Sequence, residues 1–176
     1  MERSKKEDIM DSGRVQIYYG DGRGKSTAAL GCAVQAARAG RNVFIIQFLK
    51  GRMAAESVFM QRLEPEIKVF HFEKSEERYE ELSEQEKLEE NRNLRNGVNF
   101  ARKVLMNDEC SLLILDELLG VIDNGVVSRE DIEALFQAKA DEAQIIVTGR
   151  NLPDYLRTLA DEIYHIQTEK NCDGDS

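Results

Sequence analysis

Gly20-Asp21-Gly22-Arg23-Gly24-Lys25-Ser26-Thr27 is the segment that most constrains this chain of 176 residues. It follows a short β-prone run, Arg14 to Tyr19 (RVQIYY). It opens an alanine-rich stretch, Lys25 to Ala39, that reads as a helix closed by Gly40. Strand, glycine turn and helix in that order begin a βαβ unit. Glycines let the backbone turn with its N–H groups inward, and the helix N-terminus adds partial positive charge. Lys25 can neutralise a phosphate, and the Ser26 hydroxyl can hold Mg²⁺. The usual spacing is G-x-x-x-x-G-K-[ST]. Here Tyr19 stands where the first glycine belongs, so the loop that starts at Gly20 is one residue shorter. That departure points away from an ordinary NTPase and toward a variant.

The rest of the chain continues the alternation. Asn42 to Phe48 (NVFIIQF) is a nearly continuous apolar run, as in a strand buried on both faces. Met53 to Leu63 is expected to be a short helix ended by Pro65, and Ile67 to Phe72 a third strand. Ser75 to Met106 reads as a long helical region interrupted near Asn91 to Gly97. Ser111 to Glu117 (SLLILDE) is a buried strand ending in two acids. Ser128 to Ala138 is a helix with a capping-box-like start. Gln144 to Arg150 is a strand ending in a tight turn, Pro153 starts a helix running to about Ala160, and Glu162 to Gln167 is the last strand. About six strands separated by helices imply a mostly parallel sheet covered on both faces. With a phosphate loop at its first turn, this α/β pattern resembles the P-loop NTPase-like (RecA-like) three-layer fold. The expected organisation is an N-terminal arm over 1–13, one domain over 14–167 and a polar tail over 168–176.

Charge narrows the partners. The chain has 24 Lys and Arg against 33 Asp and Glu, a net charge of −9. Glu73 to Glu90 alone holds nine Glu against Lys74, Arg78 and Lys87, and reads as a solvated helix face. No basic stripe exists, so nucleic acid is not the expected partner. No apolar run approaches the ~20 residues that span a bilayer, and the first 13 residues lack the apolar core of a secretory signal. Three cysteines, Cys32, Cys110 and Cys172, make neither a disulfide framework nor a zinc pattern. A cytoplasmic location is expected.

Three further segments lie at the carboxyl ends of strands, where such sheets bind ligands. Leu112-Leu113-Ile114-Leu115-Asp116-Glu117 brings two acids to a strand end. One acid there would bind Mg²⁺ directly or through water. Thr148-Gly149-Arg150 places an Arg whose fork of donors suits phosphate. Gln47, with Lys50 and Gly51 after it, ends the second strand. His71 and His165 read as structural.

Together these segments resemble the ATP:corrinoid adenosyltransferase family of the CobA/CobO/BtuR type. The family's loop G-N-G-K-G-K-[ST]-T is similar to Gly20 through Thr27, with the same short spacing. Its Gln-Phe-x-Lys-Gly strand end matches Gln47-Phe48-Leu49-Lys50-Gly51. Its Leu-Asp-Glu strand end matches Leu115-Asp116-Glu117, and its Thr-Gly-Arg turn matches Thr148-Gly149-Arg150. The resemblance spans Arg14 to Gln167. It implies transfer of the 5′-deoxyadenosyl group of ATP to cobalt(I) of a corrinoid such as cobalamin, with release of triphosphate, in adenosylcobalamin biosynthesis or salvage. ATP would lie reversed relative to ordinary P-loop enzymes. Gly20, Asp21, Gly22, Arg23, Gly24, Lys25, Ser26, Thr27, Gln47 and Lys50 would bind ATP. Lys25, Glu117 and Arg150 would act in catalysis. Ser26 and Glu117 would hold Mg²⁺, or Mn²⁺ in its place. The resemblance also implies a flavoprotein reductant and a homodimer.

Two departures from the family stand out. Asp21 replaces the family's Asn, and a carboxylate repelled by phosphate is expected to face the ribose hydroxyls or solvent. The family's Phe-x-Trp wedge has no counterpart, because the chain has no Trp. Phe70, Phe72 and Tyr79 are its nearest substitutes, with Phe70 and Phe72 also readable as strand core. Two other readings fit the residues: a P-loop ATPase or small-molecule kinase, and a nucleotide- or corrinoid-binding protein without turnover.

Overall fold

The computed structural model describes residues 13–49, 60–75 and 77–170. Six strands form one sheet: β1 (Val15–Tyr19), β2 (Val43–Gln47), β3 (Ile67–His71), β4 (Leu112–Asp116), β5 (Gln144–Gly149) and β6 (Glu162–His165). The order is β3-β2-β4-β5-β1-β6, and every neighbouring pair is parallel. The inner strands β2, β4 and β5 are buried almost throughout, while the edge strands β3 and β6 are half covered. That division matches their sequences: continuous apolar runs inside, alternation at the edges. The expected P-loop NTPase-like (RecA-like) fold is the one observed.

Helix α1 (Lys25–Arg38) covers one face. Its Ala29, Ala33 and Ala36 fall on one side and pack on Val43, Ile45, Ile67, Leu112, Ile114 and Ile146. Alanine there lets the helix axis approach the sheet closely. Helices α2 (Glu84–Met106), α3 (Leu118–Asp123) and α4 (Arg129–Gln137) serve the opposite face. Leu94, Val98, Ala101 and Leu105 of α2 and Ile132, Leu135 and Phe136 of α4 close that larger core. A short helix, α5 (Asp154–Arg157), precedes β6. Among the described residues no helix is long and apolar enough to cross a membrane.

Several expectations are corrected. The long helical region begins at Glu84, not Ser75, because Ser83 and Glu86 form a reciprocal capping box. Upstream, only a single 3₁₀ turn forms, Tyr79–Glu81. No interruption occurs at Asn91 to Gly97. Gly97 stays helical because its missing side chain admits two rings: a Cβ there would lie 2.6 Å from Phe48 and 2.7 Å from Phe72. Helix α3 was not anticipated. The chain turns from β4 into it at Glu117, which adopts left-handed φ 65°, ψ 22°. The helix expected from Pro153 to Ala160 is confined to Asp154–Arg157, with Pro153 as its N-cap. Of the helix expected over Met53 to Leu63, most lies outside the described residues, and Gln61–Leu63 forms a 3₁₀ turn. The arm over 1–12, Lys50, Gly51, Cys172 and the end of the tail also lie outside the described residues.

Candidate functional site

The phosphate loop joins β1 to α1 at the carboxyl edge of the sheet. Gly20 and Gly24 take φ 121° and 108°, which side chains rarely tolerate. The loop is braced on both sides. Gly20 N donates to Gly149 O at 3.2 Å and Arg150 O at 3.0 Å, and Gly22 N donates to Ile166 O at 3.0 Å. These two amides are thus engaged by the ends of the neighbouring strands. The Lys25 ammonium is buried inside the turn and donates to Gly20 O at 2.7 Å and Gly22 O at 2.8 Å. Lys25 thus holds the loop closed through carbonyls that a phosphate oxygen would replace. Asp21, Arg23 and Thr27 are exposed at the rim.

Beneath the loop, one carboxylate gathers side chains from three other elements. Asp116 ends β4 and is 2% exposed. Its Oδ1 accepts from Ser26 Oγ at 2.8 Å and from Thr148 Oγ1 at 2.6 Å. Its Oδ2 accepts from Gln47 Nε2 at 3.4 Å. The parallel register brings this about: Gln47 pairs with Asp116 across β2 and β4, so both side chains leave the same face. That face carries α1, which supplies Ser26 in its first turn. The hydroxyl gives its proton to Asp116, so Ser26 Oγ acts toward other groups as an electron-pair donor. Glu117, the next residue, is half-buried, and its backbone N donates to Thr148 Oγ1 at 2.9 Å.

The ring of Tyr19, at the position of the absent glycine, stacks on His165 with centroids 4.5 Å apart and planes 8° apart. The Arg157 guanidinium lies 5.5 Å from the Tyr19 centroid, and its bond to the Tyr19 hydroxyl raises the Arg157 pKa. A Cβ on Gly20 would meet the His165 ring at 2.8 Å. The end of β6 is thus the side wall of the loop.

With this geometry in place, comparison with known proteins is specific. The family described as ATP:corrinoid adenosyltransferase BtuR/CobO/CobP matches residues 11–173. The chain belongs to this family. A corrinoid adenosyltransferase of Pseudomonas aeruginosa is 25% identical over 169 residues, covering 92% of this chain and 78% of that protein. Corrinoid adenosyltransferase CobA of Salmonella typhimurium is 25% identical over 167 residues, covering 92% of this chain and 80% of that protein. An uncharacterized protein of Nostoc sp. is 28% identical over 166 residues, and the match covers 85% of this chain but only 42% of that protein. Among solved structures, the flagellar accessory protein FlaH of Methanocaldococcus jannaschii shares the fold, with TM-score 0.58 and 17% identity over 88% of this chain and 71% of FlaH.

For this ATP:corrinoid adenosyltransferase family member, the structure brings together most of the residues expected to act. Gly20, Gly22, Gly24, Lys25 and Ser26 lie in one loop, with Gln47 and Asp116 directly below. Arg150 follows β5 and is exposed, while its carbonyl braces Gly20. Ser26 bonds to Asp116 and not to Glu117, the acid expected to share a cation with it. Thr148 was not named as a site member, and of the two acids at the end of β4 the cation was assigned to Glu117 and not to Asp116. The Leu-Asp-Glu and Thr-Gly-Arg matches contained Asp116 and Thr148, but spacing alone did not show that their side chains meet. Of the residues nearest to the absent wedge, Phe70 and Phe72 pack with Phe44 and Phe100 in the core under α2. Tyr79 donates to Asn91 Oδ1 at 2.8 Å. Among the described residues the acidic run is mostly solvated, as expected, except at its two ends: the Glu73 side chain is 7% exposed, and Glu90 is buried and accepts from Lys74 N at 3.0 Å.

Proposed function

We propose that this chain transfers the 5′-deoxyadenosyl group of ATP to cobalt(I) of a corrinoid. The electron pair of cobalt(I) attacks C5′, the C5′–O bond breaks, and triphosphate leaves with that bond's electrons. The observation that carries this reading is the shortened loop itself, Gly20 to Thr27, closed by Lys25 and seated on Asp116 through Ser26. It occurs in a chain that matches the adenosyltransferase family over 11–173.

Each residue has a part that follows from its chemistry. Lys25 exchanges the Gly20 and Gly22 carbonyls for phosphate oxygens and offsets charge on the leaving group. The N-terminus of α1 adds its partial positive charge. Arg23 and Arg150 supply cationic side chains at the rim. Gln47 and Thr148 hold Asp116, which orients the Ser26 hydroxyl. No residue is needed as a general base, because the attacking cobalt carries no proton to lose.

The donor set at the loop fits a hard cation. Ser26 Oγ and the Glu117 carboxylate are the oxygen ligands, with Asp116 orienting Ser26. Mg²⁺ is bound in such sites through one or two protein oxygens plus phosphate and water. Mg²⁺ held there, or Mn²⁺, would supply positive charge that stabilises the departing triphosphate. The flavoprotein reductant, the homodimer and the cytoplasmic setting rest on the resemblance and composition alone.

The test is anaerobic. Protein, MgATP and chemically reduced cob(I)alamin are mixed, and the corrinoid spectrum is followed. A light-sensitive alkylcobalamin spectrum supports the reading. An unchanged corrinoid with ADP and phosphate appearing contradicts it and favours an ATPase.

A further inference from the structure

We propose that Thr148 is a positioning residue, one hydroxyl that sets the geometry of both acids at the end of β4. The inference rests on the adenosyl-transfer reading above and extends it to a residue outside the nucleotide loop.

Thr148 is fully buried, in a strand whose preceding residues, Ile145, Ile146 and Val147, are fully buried and apolar. Valine would match that packing. A hydroxyl at such a position is unfavourable unless both its proton and its lone pairs are used. Here both are used, and by consecutive residues. The Thr148 O–H donates to Asp116 Oδ1 at 2.6 Å, and Thr148 Oγ1 accepts the Glu117 N–H at 2.9 Å. The first bond fixes the carboxylate that takes the Ser26 proton. The second holds the backbone of Glu117 where it turns left-handed, at φ 65°. That turn decides where the Glu117 carboxylate points. Gly149 lets β5 come this close: a Cβ there would lie 2.3 Å from Leu119 Cβ in α3. One side chain therefore couples Ser26 Oγ and Glu117, the two oxygen ligands assigned to the cation.

The test compares wild type, Thr148→Val and Thr148→Ser. Three quantities are read for each: the melting temperature, the adenosylation rate against Mg²⁺ concentration, and ATP affinity by calorimetry with and without Mg²⁺. Loss of a group that orients metal ligands should lower turnover or metal affinity about 10- to 100-fold. Thr148→Val is expected to show that loss in turnover and in the Mg²⁺-dependent gain of ATP affinity. Its affinity for ATP without Mg²⁺ should stay within about twofold of wild type, because the loop itself is intact. Thr148→Ser should restore most of the rate and the gain. A Thr148→Val protein with the wild-type Mg²⁺ response overturns the proposal. So does a Thr148→Ser protein as impaired as Thr148→Val, since packing would then explain the effect. If wild type transfers no adenosyl group, the functional reading fails, while the Mg²⁺-dependent gain in ATP affinity still decides the role of Thr148.

Discussion

Ser26 and Asp116 stand 90 positions apart and share a 2.8 Å hydrogen bond. The bond ties the phosphate loop to the end of β4. Asp116→Asn replaces one acceptor oxygen with a donor among three donors: Ser26, Thr148 and Gln47. Leaving buried donors unsatisfied costs about 1–3 kcal/mol. The variant should lose that much stability in urea unfolding. Its stability should fall further than that of Ser26→Ala, which removes only one of the three contacts to Asp116. Urea unfolding of both variants checks the order.

The loop glycines should separate into two classes. A Cβ on Gly20 would lie 2.4 Å from Ile166 O, and one on Gly22 would lie 2.8 Å from it. A Cβ on Gly24 would meet nothing within 4 Å. Gly24→Ala therefore costs only left-handed backbone strain, about 1–2 kcal/mol. Gly20→Ala and Gly22→Ala also push the loop off the β6 wall. Both should bind ATP more weakly than Gly24→Ala in calorimetry.

Gly97 tests the packing between α2 and the rings of Phe48 and Phe72. Gly97→Ala would drive a methyl into Phe48 and Phe72, and overpacking of this kind costs about 1–3 kcal/mol. Alanine is otherwise the better helix former. A variant less stable than wild type in chemical denaturation confirms that ring packing, not helix propensity, sets this residue.

The acid limb of stability should report on Glu162. Hydrogen bonds from Gln16 and then Tyr164, with the charge of Arg14, hold its carboxyl below the ordinary value. A carboxyl depressed in the folded state stabilises fully above its unfolded pKa, about 4.3. That contribution is lost as pH falls through the folded value. Wild type should therefore lose more stability than Glu162→Gln between about pH 5 and pH 3. Melting temperatures across that range measure the difference.

Much of this architecture was legible because strand identity here is a matter of continuous burial. VFIIQ, LLILD and QIIVTG read as inner strands, and they are β2, β4 and β5. Helix α3 was not legible. Leu118-Leu119-Gly120-Val121-Ile122 is too short for a periodic pattern, and its start depends on a left-handed glutamate. Gly97 suggested a break because its reason, two rings from β2 and the segment after β3, lies far away in sequence. The loop was legible from Gly-Lys-Ser-Thr. The brace on Ile166 and the Asp116 cluster were not, because both depend on strand order, which puts β6 beside β1 and β5 between β1 and β4.

The phosphate product is the most direct test of the central claim. Under anaerobic conditions, ATP labelled in the γ position is turned over with reduced cob(I)alamin, and the labelled product is separated. The account predicts intact triphosphate, formed in equal amount with adenosylcobalamin. Labelled orthophosphate, formed with ADP while the corrinoid stays unchanged, would contradict it.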